Sequence, residues 1–406
     1  MKLTVARFVG ADLPARIWIL AFAALLKYLA MFVVPFAGLY LRDELGASIG
    51  EIGWIVAANA AGTLISFPAA GYAIDRFGNL AVIVVACGLE AICFVLLGQT
   101  STIAQFGLVF FVCGALTAVF RPAFQGCLTS ATEPADRPRA YALGNLVWNL
   151  SSGMALLAGG VVYANASKYI FLADAILNVA ALCIFAGLAT RVGLKDGAPA
   201  GPKSAHGSSP LGNPIFLAIC LALFLVEIVR SQSISTFPLF TTSIYGISPA
   251  QFGLVLALGC LTLAIFILPV TTSLMGFDKR ILVALGAVLM CSAYSLSMFG
   301  SGVVWSAVVV IVSSAGQMVV HPAALTLAVA ASPQARRGTY LTTYYSSAAL
   351  AWSVGPAAGT TIYSALGPNY LWALCSIPGL LVAGIMMGVV PPISKLERSH
   401  DGGTGD

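Results

Sequence analysis

The chain is a succession of long apolar runs separated by short polar loops, and this pattern decides the solvent in which it can fold. The first run, 17–40, holds about 24 residues, and a membrane-spanning helix needs about 20. It is longer than the apolar core of a signal peptide and no small-residue cleavage pattern follows it, so we expect a retained first helix. Only 9% of the 406 residues are charged, whereas soluble domains carry about 25%. The sequence therefore predicts a protein that crosses a bilayer many times.

Apolar runs bounded by Gly, Pro or charged residues predict twelve transmembrane helices, called spans 1 to 12 in chain order. In the first half they are 17–40, 52–74, 79–98, 102–131, 139–164 and 168–191. In the second half they are 214–244, 249–274, 280–299, 303–331, 338–364 and 368–390. Helices that face lipid are apolar on all sides, so helical periodicity adds little to these boundaries. The predicted fold class is an all-α membrane protein.

Lys and Arg residues concentrate on alternate loops, and this predicts the orientation of the spans. With the N-terminus inside, the cytoplasmic side receives Lys2, Arg7, Arg16, Arg76, Arg137, Arg139, Arg191, Lys195, Lys203, Lys279, Arg280, Arg336, Arg337, Lys395 and Arg398. The outer side receives only Arg42 and Lys168. Because cytoplasmic loops are enriched in basic residues, we expect both termini on the cytoplasmic side of the cytoplasmic (inner) membrane. The basic residues are scattered, which argues against a nucleic-acid partner.

The centre of the chain separates two similar halves. Residues 192–213 are rich in Gly, Pro, Ser and Lys and predict a flexible cytoplasmic linker. We expect an N-terminal six-helix bundle over 1–191, a C-terminal six-helix bundle over 214–391 and a cytoplasmic tail over 392–406.

Short motifs recur across the linker at offsets of 199 or 200 residues. Arg121-Pro122-Ala123 returns as His321-Pro322-Ala323, Tyr141 as Tyr340, and Gly159 with Tyr163 as Gly359 with Tyr363. A repeat of this kind indicates duplicated structural units. Two six-helix halves of the same sense are typical of one large class of secondary transporters.

Two motifs resemble those of the major facilitator superfamily. The segment Gly71-Tyr72-Ala73-Ile74-Asp75-Arg76-Phe77-Gly78 resembles the family's signature loop between spans 2 and 3. In span 11, Gly355-Pro356-Ala357-Ala358-Gly359 resembles a motif of the drug-exporter branch, although span 5 lacks the matching Gly-Pro. The resemblance covers the whole chain and implies two six-helix bundles related by a pseudo-twofold axis. With Arg-Pro in span 4, the chain is most similar to bacterial drug and metabolite exporters.

The resemblance implies that the signature loop is a gating loop, with Gly71, Asp75, Arg76 and Gly78 as its residues of interest. The two glycines are expected to let helix ends and a tight turn approach closely. Asp75 and Arg76 are expected to bind neighbouring helix ends through charge-assisted hydrogen bonds. The alternative is a solvated turn.

Six ionisable residues fall within the predicted spans, where charge is costly. They are Lys27, Glu90, Arg121, Asp174, Glu227 and Arg230. A charge at the centre of a spanning helix costs roughly 2.5–3.5 kcal/mol, so six facing lipid would cost on the order of 15–20 kcal/mol. This is at or above the whole stability of a typical protein. We therefore expect most of them to pair, to lie near an interface or to line a watery cavity.

Lys27 and Glu227 are related by the 200-residue offset. Lys27 lies about ten residues into span 1, or about 15 Å, which is near the bilayer midplane. The resemblance implies that spans 1 and 7 line a central cavity, so we expect the two charges to meet there. Arg230 lies on the same face of span 7 as Glu227. The functional interpretation is a substrate and coupling cluster, and the alternative is a static ion pair that fixes helix packing.

Spans 4 and 10 carry equivalent polar sites directly before a proline. Arg121 precedes Pro122 and His321 precedes Pro322, and each proline removes a backbone hydrogen bond. An unperturbed pKa near 6.5 suits His321 to carry protons; a packing histidine is the alternative. Other polar residues expected in the cavity are Asn59, Gln125, Asn145, Asn149 and Gln317. Since the resemblance places spans 3 and 6 at the periphery, Glu90 and Asp174 are expected to make helix contacts, with a coupling role as the alternative for Glu90.

No enzymatic chemistry is indicated. The sequence has no phosphate-binding loop, no Gly-x-Ser-x-Gly and no metal-ligand spacing. Its nine cysteines form no Cys-x-x-Cys or Cys/His cluster. We therefore expect a protein that is not an enzyme, needs no cofactor or metal, and uses an ion gradient.

Three functions agree with these features. The leading one is proton-coupled export of an anionic or neutral small organic solute by a monomer, through alternating access of the two halves. Three central cations against one acid favour such solutes over cationic ones. The second is a proton symporter that imports a carboxylate-type anion. The third, from another class, is a non-transporting membrane sensor or scaffold.

Overall fold

Helices are the only regular secondary structure in the described part of the chain. The computed structural model describes residues 14–133, 136–192, 209–333 and 337–393. The spans formed by one helix are Ile49–Phe77, Asn79–Leu97, Ile103–Ala131, Arg137–Ala166 and Ile170–Val192 for spans 2 to 6, and Pro249–Ser273, Lys279–Ser295, Gly302–Ala330 and Arg337–Leu366 for spans 8 to 11. Spans 1, 7 and 12 each consist of two helices, which are Ala15–Leu29 with Val33–Asp43, Pro214–Ser231 with Thr236–Ser243, and Pro368–Leu374 with Ser376–Gly388.

Length and hydropathy agree with a membrane location for these helices. Among the described residues, ten stretches are long and apolar enough to cross a bilayer, and one of them, Leu146–Thr190, covers most of span 5 and most of span 6. Span 11 is the exception because it is rich in Thr, Ser and Tyr. The prediction of an all-α membrane protein with twelve spans is confirmed. Most of the predicted linker and tail, at 193–208 and 394–406, lies outside the described residues.

The chain forms two compact units that depart slightly from the two halves of the sequence. The start of span 2, Ser48–Ala57, belongs to the unit that contains the second half of the chain. The start of span 8, Ser248–Cys260, belongs to the unit that contains the first half. We call these the second unit and the first unit. The two exchanged segments begin 200 residues apart, at equivalent positions of the repeat.

The turns before spans 2 and 8 repeat the same local structure. Gly46 and Gly246 adopt φ angles of 64° and 66°, a region that glycine enters without steric cost. Two residues later, the backbone N–H of Ser48 donates to Glu51, and the N–H of Glu51 donates back to the Ser48 hydroxyl. Ser248 and Gln251 form the same reciprocal pair. Both spans therefore begin with a capping box.

Span 1 is broken at Ala30–Phe32, and a carboxylate from span 6 satisfies the free backbone donors. The two oxygens of Asp174 accept from the N–H groups of Phe32 and Val33 at 3.1 and 3.0 Å. Asp174 is fully buried. Since the first N–H groups of a helix have no partner within it, Asp174 acts as a cap supplied from another helix. The helix contact expected for Asp174 is thus a pair of hydrogen bonds to the backbone of span 1.

Span 7 is broken at the equivalent place and carries its own polar group there. The side-chain amide of Gln232 donates to the carbonyl oxygens of Ile228 and Gly355 at 3.0 and 2.9 Å. Its oxygen accepts from the hydroxyls of Ser235 and Thr236. All of these partners lie in the second unit, and Gln232 is 2% exposed. The continuous helices predicted for spans 1 and 7 are therefore wrong, because polar side chains stabilise a break in each.

An aromatic cluster forms part of the core of the first unit. The ring of Tyr28 packs edge-on against Phe120, Phe124 and Trp148 at centroid distances of 5.1, 6.3 and 4.7 Å. Phe120 and Phe124 are buried and stack on each other along span 4. Such edge-to-face pairs each add about 0.5–1.5 kcal/mol beyond area burial. They fix span 1 against spans 4 and 5.

Candidate functional site

The second unit holds a buried carboxylate with three polar partners from three spans. Glu227 of span 7 is 2% exposed. Its Oε2 lies 2.7 Å from Nε of Arg230 and accepts from the indole N–H of Trp352 at 2.6 Å. Its Oε1 lies 3.2 Å from Nε2 of His321. We call these four residues the Glu227 cluster.

Local structure places each member of the Glu227 cluster. Arg230 is three residues after Glu227 on one helix, so the two side chains share a face, as predicted. His321 comes from span 10 and Trp352 from span 11, where the guanidinium carbon of Arg230 lies 4.7 Å from the indole ring centre. The side chains of Arg230 and His321 are each 31% exposed, whereas that of Glu227 is 2% exposed. The cluster thus combines a buried acid with two partly accessible bases.

Trp352 was missed by the sequence analysis, although a signal was present. It lies in the interior of span 11 rather than near a span end, where tryptophans anchor helices at the membrane surface. A tryptophan away from the surface needs an acceptor for its indole N–H. That requirement points to a buried acceptor on a neighbouring span, here the carboxylate of Glu227.

The first unit neutralises its lysine internally. Nζ of Lys27 lies 2.6 Å from Oε2 of Glu90, and the two side chains are 5% and 1% exposed. The hydroxyl of Thr117 donates to the other Glu90 oxygen at 2.9 Å. The expected Lys27–Glu227 pair is therefore corrected to two separate pairings, Lys27 with Glu90 and Glu227 with Arg230 and His321. Residues 200 positions apart occupy equivalent places in the two halves of the chain, but equivalent residues need not touch each other.

Arg121 of span 4 is exposed and has no carboxylate within ion-pair distance among the described residues. Its guanidinium carbon lies 5.5 Å from the ring centre of Trp148 in span 5. Trp148 was also missed by the sequence analysis. Arg121 is therefore held by an aromatic ring rather than by an acid.

The remaining expected cavity residues are spread over the two units. The amide of Asn59 donates to the carbonyl of Phe110 at 2.8 Å, which fixes span 2 to span 4. Gln125, Asn149 and Gln317 are half-buried. The side chain of Asn145 lies outside the described residues.

The gating loop has one of its expected features. Gly78 adopts a φ of 86° directly before span 3, so a glycine is required at this turn. A side chain at Gly71 would meet no atom within 4 Å, so the close approach expected there is absent. Arg76 donates to the hydroxyl of Tyr72 one turn back at 2.7 Å, a contact within its own helix. The side chain of Asp75 lies outside the described residues.

The span 11 motif forms a socket for the break in span 7. A Cβ atom at Gly355 would come 2.1 Å from Oγ of Ser231, and one at Gly359 would come 1.9 Å from Oε1 of Gln232. Real Cβ atoms essentially never come this close to another heavy atom. Pro356 lies inside the helix between the two glycines. The motif therefore has a packing role within the second unit.

The chemistry available at these sites is that of charge and hydrogen bonding. Within the described ranges, no group of three His, Cys, Asp or Glu side chains is placed to hold a metal ion. The Glu227 cluster offers a carboxylate and an imidazole that can exchange a proton. Arg121 offers a cation for an anionic group.

Comparison with solved structures shows the fold. The peptide transporter POT aligns with a TM-score of 0.82 at 14% identity, over 95% of both chains. The nucleoside transporter NupG aligns with a TM-score of 0.76 at 12% identity, over 91% of this chain and 98% of that chain. A bacterial homologue of the human lysosomal transporter Spinster gives a TM-score of 0.71 at 13% identity, over 95% and 96% of the two chains.

Comparison of sequences shows the family. No curated protein matches the sequence significantly. The Major Facilitator Superfamily model matches twice, over residues 20–243 and 219–405, and so covers most of the chain. The chain thus belongs to the major facilitator superfamily and is a multi-pass secondary transporter rather than an enzyme.

Proposed function

We propose that this transporter exports an anionic or neutral small organic solute in exchange for protons, with Glu227 and His321 as the proton-exchanging pair. One observation carries the proposal. The Glu227 carboxylate is buried within its span, yet a guanidinium, an indole N–H and an imidazole all lie within 3.2 Å of its oxygens.

A proton would change the partners of Glu227. A carboxylate and an imidazole both titrate, whereas a guanidinium is not deprotonated in proteins. When Glu227 is ionised, Arg230 and Trp352 are held on Oε2. Protonation of Glu227 weakens its hold on Arg230 and Trp352 and removes the acceptor for a donor group of the solute, so the proton and the solute compete for the same carboxylate. Proton binding and solute binding are coupled in this scheme because both act on the same ion pair.

Charge pairing supports an anionic or neutral solute. Lys27 is neutralised by Glu90, and Arg230 by Glu227, so each unit balances one cation. Arg121 has no such acid in the described part of the chain. Arg121 is therefore the cation of the spans that no acid neutralises in that part of the chain. We assign Lys27 to a fixed ion pair that holds helices together, rather than to the binding of solute.

The polar residues of the predicted cavity remain part of the proposal. We expect Asn59, Gln125, Asn145, Asn149 and Gln317 to contribute hydrogen bonds along the solute pathway, and the gating loop to act in alternating access. A monomer in the cytoplasmic membrane, with both termini in the cytoplasm, is the proposed functional form. The proposed domains are the bundles 1–191 and 214–391.

The test is solute-driven proton movement in liposomes that contain the purified protein and the pH dye pyranine. Carboxylates, sugars and lipophilic cations are added outside, one at a time. We expect an anionic or neutral solute to make the lumen more alkaline, because a proton leaves as the solute enters. Glu227→Gln should abolish the signal by removing the titrating carboxylate. Glu133→Gln, which changes an exposed loop carboxylate, is the matched control and should leave it intact.

The same measurement separates the other two functions. A symporter that imports a carboxylate would acidify the lumen beyond the passive entry seen in protein-free liposomes. A sensor or scaffold would give traces identical to those liposomes for every solute. Either result would overturn proton-coupled export, as would a full signal in Glu227→Gln.

A further inference from the structure

Arg121 differs in its partners from the other ionisable residues within the spans. Lys27 and Glu90 pair with each other, Asp174 caps a helix, and Glu227 with Arg230 forms an ion pair. Within the described residues, Arg121 has no acid and no hydrogen-bond acceptor for its side chain. An unpaired arginine at depth in a spanning helix is costly. An anion bound beside the guanidinium would offset that cost.

The surroundings of Arg121 form one face of span 4. Its neighbours Phe120 and Ala123 are buried, whereas Arg121 and Pro122 are exposed, so the guanidinium points away from the core of the first unit. It lies over Trp148, whose ring is held edge-on by Tyr28 at a centroid distance of 4.7 Å. The aromatic cluster therefore fixes the position of the cation without neutralising it.

A further polar group lies one turn along the same helix. The side chain of Gln125 is half-buried and has no hydrogen-bond partner in the described part of the chain. Residues four apart share a helix face, so an amide stands beside the guanidinium. Arginine presents paired N–H donors that match a carboxylate, and such charge-assisted bonds are among the strongest in proteins. Together these residues offer a cation, a neutral hydrogen-bonding group and an apolar ring.

We propose that Arg121, Gln125 and Trp148 form an anion subsite that binds the carboxylate of an organic acid, with the apolar body of that acid against Trp148. The inference rests on the transport function proposed above and specifies its substrate class. Arg121 supplies the charge preference, and Trp148 supplies the preference for an organic acid over a small inorganic anion. A lipid phosphate reached by the side chain is the competing source of negative charge. It would leave Arg121 insensitive to added carboxylates.

The test uses phenylglyoxal, a reagent that modifies accessible arginine side chains, on the wild-type protein in lipid nanodiscs. The extent of modification of Arg121 is measured by mass spectrometry with benzoate, acetate or the uncharged analogue benzamide. At a benzoate concentration about ten times its Kd, modification of Arg121 should slow about tenfold. Acetate should protect more weakly, and benzamide should not protect. Arg76, an exposed arginine on the gating loop, is the internal control and should be modified equally in every sample.

Trp148 is tested with two variants. One of them keeps an aromatic ring and so controls for misfolding. Trp148→Leu should reduce protection by benzoate to the level given by acetate, whereas Trp148→Phe should keep most of the difference. An Arg121 that resists modification, or that is modified equally in all samples, would overturn the subsite. Because protection is measured without any flux, failure of the liposome test with intact protection would reject proton-coupled export and leave the subsite standing.

Discussion

At the scale of single residues, the Lys27–Glu90 pair is the most enclosed ion pair among the described residues of the first unit. The two side chains are 5% and 1% exposed, and Thr117 satisfies one of the carboxylate oxygens. Lys27 also lies 5.5 Å from the ring centre of Phe120. Removing one member of a buried pair leaves the other charge without compensation.

We expect Glu90→Gln to destabilise the protein by about 3–5 kcal/mol, because Lys27 then lacks a counter-charge. The measurement is thermal unfolding in detergent, followed by tryptophan fluorescence. The double variant Lys27→Met with Glu90→Leu should recover most of the lost stability, since it removes both charges and keeps the volume. A double variant as unstable as Glu90→Gln would contradict a role confined to packing.

The sequence predicts which residues are charged within the spans but leaves their partners open. The 200-residue offset suggested that Lys27 and Glu227 meet, whereas each has a partner within its own unit. Partner choice depends on the rotation of each helix about its axis, and helices that are apolar on all sides carry no periodic signal for that rotation. For the same reason Trp148 and Trp352 were missed as contacts of Arg121 and Arg230.

At the scale of elements, the contact between spans 7 and 11 depends on two glycines. Gly355 and Gly359 leave room for Ser231 and Gln232, which lie at the break of span 7. The same amide of Gln232 donates to the Gly355 carbonyl. A side chain on this face of span 11 would displace a group that satisfies the broken backbone.

We expect Gly359→Ala to destabilise the protein by roughly 1–3 kcal/mol, because overpacking forces Gln232 out of its position. Gly384→Ala is the matched control, since a Cβ at Gly384 would meet no atom within 4 Å. Thermal unfolding of the two variants gives the comparison. Equal stability of both would show that span 11 shifts without cost and that the socket is not tight.

The sequence also predicts the number and approximate limits of the elements, because each span is a long apolar run between polar loops. The breaks in spans 1 and 7 were not predicted. Ala30–Phe32 itself is apolar, and the local signal was Pro35, in the first turn of the helix Val33–Asp43, where proline is typical of a helix start. Nothing in the sequence indicates that Asp174, 142 residues away from Phe32, accepts the exposed backbone donors.

At the scale of the whole molecule, the basic residues predict the orientation in the membrane. The positively charged loops fall on one side when the spans alternate. We expect alkaline phosphatase, which is active only outside the cytoplasm, to be active when fused after Gly300, between spans 9 and 10. Fused after Ile393, at the end of span 12, it should be inactive. The reverse pattern would contradict cytoplasmic termini.

The fold and the family could be predicted from the sequence, whereas the solute could not. Twelve apolar runs, a repeat and two motifs identify the architecture, because each of these reflects the demands of the bilayer or of backbone packing. Solute recognition depends on a few side chains whose relative positions the pattern leaves undetermined. Arg121 illustrates this, since its lack of an acidic partner becomes apparent only when its neighbours in space are known.

The cap that Asp174 places on span 1 has a consequence for how the protein is made. Two N–H groups of span 1 find their acceptor only when span 6 is present. While the ribosome is still extending the chain, span 1 therefore sits in the bilayer with those donors unsatisfied or in a different, unbroken form. The final shape of the first helix is therefore settled only after span 6, the last helix of its own half, has been made.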